Sequence, residues 1–254
     1  MQRASDSFDT RPPAVGGWRV ERGAGELRIH YGLARDVPQY AALHLRDSYL
    51  RLNAGPCCGW GTSVILLPVL WRNGRCHHGA PVDASWREEG ARLALDVTGT
   101  LGGITASLSV TFSPPSEGRI VAYVAARLSG DLDTPLDDRP DEAFKPVMLS
   151  SMFASRDVWD ARAVIVGRRE VAIPTRGWIL PPSEPHSAST FGLRGGSSGW
   201  KANAPTVTIA LDRVLAVRGW VTRSDDPNDD SVGLWAGAGA ILPSYAYRIT
   251  ASMP

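Results

Sequence analysis

The sequence predicts an all-β protein: a single-domain antiparallel β-sandwich of the jelly-roll or supersandwich type, with a barrel as the alternative. Three observations carry that expectation. Between Arg92 and Leu128, apolar and polar residues alternate through three successive runs joined by glycine- and proline-containing turns. Shorter runs of the same kind recur along the chain with turn signals about every ten residues, as in a sandwich or barrel of about twelve strands. A sustained 3.6-residue apolar period is missing, and the best helical candidate is one turn around Pro140–Phe144, with Asp141 and Glu142 at its start.

The elements follow in order. Leu27, Ile29 and Tyr31 alternate with Arg28 and His30, and Val64–Trp71 reads as one strand buried on both faces, with Trp71 in the core. Leu93, Leu95 and Val97 form the first strand of the central meander, followed by a turn at Gly99–Gly103. Ile104, Ala106, Leu108, Val110 and Phe112 form the second, with Thr105, Ser107, Ser109 and Thr111 facing solvent. Pro114–Gly118 turns the chain into the third, carried by Ile120, Ala122, Val124, Ala126 and Leu128. Short candidates at Val147–Phe153, Ala161–Val166 and Val171–Ile173 precede Val207–Leu211, with Val214–Val221 as its hairpin partner across Asp212-Arg213. Tyr245, Tyr247, Ile249 and Ala251 close the chain in the same rhythm. The breaker-rich stretch Pro181–Pro205 reads as an ordered functional loop or lid. Neither it nor the acidic stretch Ser129–Pro140 is biased enough to be a linker, so residues 1–254 are expected to form one domain, with a flexible N-terminal segment of roughly 1–16.

Composition narrows the partners. A chain of 254 residues with 43% apolar content can bury a substantial core. Its 27 basic and 26 acidic groups leave a net charge of +1, too little to steer it to nucleic acid or an anionic membrane. The longest apolar run, Val64–Trp71, contains Pro68 and is far short of the ~18 residues of a membrane span. Met1–Asp9 has no apolar segment of a secretory leader. The three cysteines, Cys57, Cys58 and Cys76, are an odd set with two adjacent members and make a poor disulfide framework. Together these features predict a cytoplasmic location.

Tryptophan usage points to a ligand. Nine tryptophans outnumber the six tyrosines and five phenylalanines. Trp18, Trp60, Trp178, Trp200 and Trp220 each follow a glycine, and Arg-Gly-Trp occurs twice, at Arg176–Trp178 and Arg218–Trp220. A glycine beside a ring permits close backbone approach or a bulge that re-aims the side chain. Most of these rings suit a core. Trp178 and Trp200, beside the breaker-rich stretch, suit a cleft where flat apolar rings stack on sugars or other planar ligands.

Candidate chemistry is dispersed. Arg156, Asp157, Trp159 and Asp160 lie together after a predicted strand, where two carboxylates beside an aromatic ring suit sugar hydroxyls or an acid/base pair. Glu184 and His186 place a carboxylate near an imidazole that can serve as a base near neutral pH. Cys57, Cys58, Cys76, His77 and His78 are candidate metal ligands. Strand neighbours point to opposite faces, however, so these are poorly placed for joint coordination, and no metal is expected to be required. Asp225–Asp230 lacks the ligand spacing of a calcium loop. Dinucleotide and phosphate-binding glycine motifs, a nucleophile elbow and a His-Glu-x-x-His unit are all missing, so no cofactor is expected.

The broad pattern is similar to the galactose-mutarotase-like and jelly-roll groups, without a family signature. The resulting expectation is a carbohydrate-active protein acting on a sugar or sugar acid through a loop-lined cleft, as a lyase, epimerase or hydrolase. Asp157, Asp160, Glu184 and His186 are its candidate catalytic groups, and Arg156, Trp159, Trp178 and Trp200 its candidate ligand-binding groups. Two alternatives stand beside it: a non-catalytic carbohydrate-binding module, and a calycin-like barrel that binds or isomerises an apolar small molecule. A groove would favour the sugar readings and a closed central cavity the barrel.

Overall fold

The computed structural model describes residues 18–23, 25–34, 37–45, 49–53, 62–89, 92–114, 116, 118–137, 147–155, 163–184, 186–195, 206–222 and 231–252. These form nineteen strands without a helix, more than the expected dozen, in one large curled antiparallel sheet forming a half-barrel. Strands β1 (Arg19–Gly23), β2 (Glu26–Ala34), β3 (Val37–His44), β4 (Tyr49–Asn53) and β5 (Thr62–Ile65) pair in succession, β1 with β2 through β4 with β5. After β6 (Val69–Arg72) and β7 (Arg75–His78), the strands β8 (Ala80–Glu89), β9 (Arg92–Leu101), β10 (Ile104–Phe112) and β11 (Arg119–Gly130) form the central meander. The remainder are β12 (Val147–Ser155), β13 (Ala163–Val166), β14 (Arg169–Ala172), β15 (Gly177–Leu180), β16 (Ser187–Arg194), β17 (Thr206–Thr222), β18 (Ser231–Ala238) and β19 (Ser244–Ser252).

The predicted alternation holds along β10 and β11, whereas on β9 Ala94 is buried together with Leu93 and Leu95. Leu108 is 3% exposed and Val124 1%, whereas Thr105 and Ser107 face solvent. A single cluster of buried side chains draws on β2, β3 and β4 as well as on β9, β10 and β11, so both runs of strands contribute to one core.

Strand β17 joins the two runs. Its first half, Thr206–Leu211, pairs with β19, which continues into β11 and the central meander. Its second half, Ala216–Thr222, pairs with β18, which continues into β12 and then β5. Strand β16 follows both halves, across a register shift between Ala188 and Thr190. The hairpin expected across Asp212-Arg213 is therefore corrected: both segments belong to one strand. A two-residue hairpin needs positive φ in its turn, and neither Asp212 nor Arg213 has it. Where β19 runs out of pairing with β17, the Asp212 carboxylate accepts the Ala246 N–H at 3.1 Å in place of a ladder bond.

Four other expectations change. Val64–Trp71 is not one strand. β5 and β6 both lie along β12, and Leu66-Leu67-Pro68 bulges between them because Pro68 has no N–H to give the ladder. Leu66 and Leu67 stay in the core, but Trp71 is only half-buried, since it sits opposite Cys76 of the exposed β7. The turn after β9 is shorter than expected: Gly99 to Leu101 remain in the strand, and Gly102 and Gly103, both at positive φ, make the reversal. The stretch read as a lid contains β16, which buries Ala188, Phe191 and Leu193 despite its serines and flanking breakers. The helical turn at Pro140–Phe144 and the N-terminal segment 1–16 fall outside the described residues.

Candidate functional site

The two Arg-Gly-Trp copies meet in space. Trp178 on β15 is the register partner of Trp220 on β17. Their rings contact edge to face, with centroids 4.7 Å apart and planes at 84°. Two glycines permit this in different ways. Gly177 has φ +85°, a conformation side chains other than hydrogen rarely adopt. At Gly219 a Cβ would fall 2.6 Å from Leu234 Cδ2, so the missing side chain lets β17 lie close to its neighbour.

Register extends the aromatic surface across two more strands. Trp220 lies opposite Gly233 of β18, which lies opposite Phe153 of β12. A Cβ on Gly233 would come within 2.9 Å of the Phe153 ring, so glycine there leaves room for the ring to lie over the strand. Trp235 shares this face by alternation and stands 6.2 Å from Trp178. Together they line an open groove of about 340 Å³, with Met148 and the side chains of Thr222 and Ser231 completing its walls. Phe153 is 36% exposed and Trp220 38%, whereas Trp235, at 4%, anchors the floor. Arg218 is buried at the register position opposite Trp235, with Nη1 donating to the Val217 carbonyl at 3.0 Å. No titratable side chain is among the described residues that line the groove.

Of the sequence-predicted ligand-binding residues, Trp178 lies in the groove, but it is a strand residue and not a loop residue. Arg156, Asp157, Trp159, Asp160 and Trp200 lie outside the described residues. Ser155, which precedes Arg156, is paired in β12 with the groove residue Ser231. Glu184 and His186 do approach each other, with Oε2 and Nε2 3.5 Å apart, although the geometry is not that of a hydrogen bond. They do not line the aromatic groove. Sequence reasoning did not select Phe153, Trp220 or Trp235 as binding residues. The repeated Arg-Gly-Trp was the available signal for Trp220, whereas Phe153 and Trp235 reach the site only through strand register.

The candidate metal ligands divide as alternation requires. Cys76 Sγ and His78 Nε2 are 3.4 Å apart on one face of β7, and His77 Nε2 lies 3.2 Å from the Arg72 carbonyl on the other. Cys57 and Cys58 lie outside the described residues, and among those described no three metal-ligating side chains converge. His30 is buried beside Glu21, with Nε2 3.1 Å from Oε2. Burial pushes its pKa down and outweighs the upward pull of Glu21. No protein-family model matches the chain, and no curated protein matches it either.

Proposed function

We propose that the protein binds a saccharide or sugar acid, using the aromatic groove as its platform. The observation that carries this reading is the convergence of Phe153, Trp178, Trp220 and Trp235 on one solvent-open surface. Aromatic faces match the apolar faces of sugar rings, and the Thr222 and Ser231 hydroxyls offer donors and acceptors at the margin. An apolar ligand of the calycin kind would call for an enclosed cavity, so the openness of this groove favours the sugar. Its lack of titratable lining among the described residues supports binding at the platform itself. Any chemistry would then come from Asp157 and Asp160, which follow Ser155 in the chain.

Indole fluorescence titrated with a panel of neutral sugars and uronic acids tests the reading. A saturable change that Trp220→Ala abolishes is expected. A panel that produces neither a fluorescence change nor a thermal shift would overturn it. Asp157→Asn and Asp160→Asn separate catalysis from binding: turnover lost with affinity retained assigns them a chemical role.

A further inference from the structure

A second groove crosses the central meander and shares no lining residue with the aromatic site, although β17 reaches both. Its floor is a row of small residues perpendicular to the strands, with Ser109 opposite Ala125 and Ala125 opposite Ala246. Two adjoining cavities of about 650 and 430 Å³ share these three residues. Asp96, the β9 partner of Ser109, stands at one end, and Asp212, bonded to the Ala246 N–H, stands at the other. Four strand spacings separate those ends, about 19 Å. One wall carries Tyr123, 48% exposed, opposite Arg248, and the other carries Arg127 opposite Ser244.

The charges are arranged unequally. Asp96 is held by Arg87 at 2.8 Å and Asp212 by Arg213 at 2.8 Å, so both carboxylates are already compensated. Arg127 and Arg248 have no ion-pair partner among the described residues. Two uncommitted guanidinium forks therefore stand on opposite sides of a floor of small residues, a pattern complementary to carboxylates borne along a chain.

We propose that this groove binds a linear acidic saccharide, a uronate-bearing chain laid across the strands. Arg127 and Arg248 would take its carboxylates, and Tyr123 offers a ring to stack on. The remaining lone pairs of Asp96 and Asp212 and the Ser109 hydroxyl would meet its hydroxyls. A sugar fits better than a peptide because this is the face of a sheet, where the backbone groups are committed to ladders and no strand can be added.

Titration calorimetry with an oligogalacturonate and its carboxyl-reduced counterpart tests the proposal on the whole chain. The acidic chain should bind, more weakly as salt rises, and the neutral one should bind on the order of tenfold more weakly or not at all. Arg127→Gln and Arg248→Gln should each weaken binding by a similar factor with unchanged melting temperature. Trp220→Ala should leave this binding intact even if it abolishes binding at the aromatic groove, so the two readings fail separately. Equal affinity for the neutral chain, indifference to both arginine variants, or equally tight binding of polyglutamate would overturn it.

Discussion

Trp178 and Trp220 stand directly opposite each other on β15 and β17, ring edge to ring face at 4.7 Å. Both are partly exposed, so truncating either to alanine should cost much less stability than losing a core tryptophan. Binding should instead fall by roughly 1–3 kcal/mol, as for a packed anchor. Trp235→Ala provides the contrast, since that ring is 4% exposed and its loss should destabilise by ~3–5 kcal/mol. Urea midpoints and ligand titrations on all three variants check the ordering, and a Trp178/Trp220 double-mutant cycle should show a coupling of about 0.5–1.5 kcal/mol.

The two faces of β10 should respond differently to substitution. Leu108→Asn places a polar group at a 3%-exposed position and should cost on the order of 2–4 kcal/mol. Thr105→Asn, on the solvated face, should stay within about 0.5 kcal/mol of the parent. Equal losses in chemical denaturation would mean that both faces are covered.

His30 should make stability depend on pH. Its folded pKa lies below the ordinary histidine value of 6.5 because burial disfavours the imidazolium. The unfolded chain therefore takes up the proton first as pH falls, and stability present above about 6.5 is lost towards the folded pKa. Urea midpoints should drop between neutral and mildly acidic pH. His30→Gln should flatten that dependence, and an unchanged slope would show that His30 does not control it.

Tyr245 should be better without its hydroxyl. The ring is buried on β19, and its oxygen has no hydrogen-bond partner among the described residues. Burial accordingly holds the phenol's pKa well above its usual value. Tyr245→Phe keeps the ring and removes an uncompensated polar atom, so stability read from urea denaturation should hold or rise by up to ~1 kcal/mol. A clear loss of stability would show that the hydroxyl makes a stabilising contact.

The all-β class and the central meander were legible in the sequence because strand alternation is a local property. Successive side chains point to opposite faces whatever the partner, so Leu108 and Thr105 could be assigned before any pairing was known. Turns set by backbone conformation are similarly local: Asn73 and Gly74, at φ 55° and 70°, reverse β6 into β7. Register between distant strands was not legible. It places Trp178 against Trp220, brings Phe153 over Gly233, and makes Thr206–Thr222 a single strand shared by two runs. Each of those relations depends on hydrogen bonds between segments far apart in the chain, selected by packing of the whole core. Local alternation thus tells which residues of the meander face inward, whereas strand pairing across the whole core sets which outward-facing ones meet, because that choice belongs to the pairing and not to the strand.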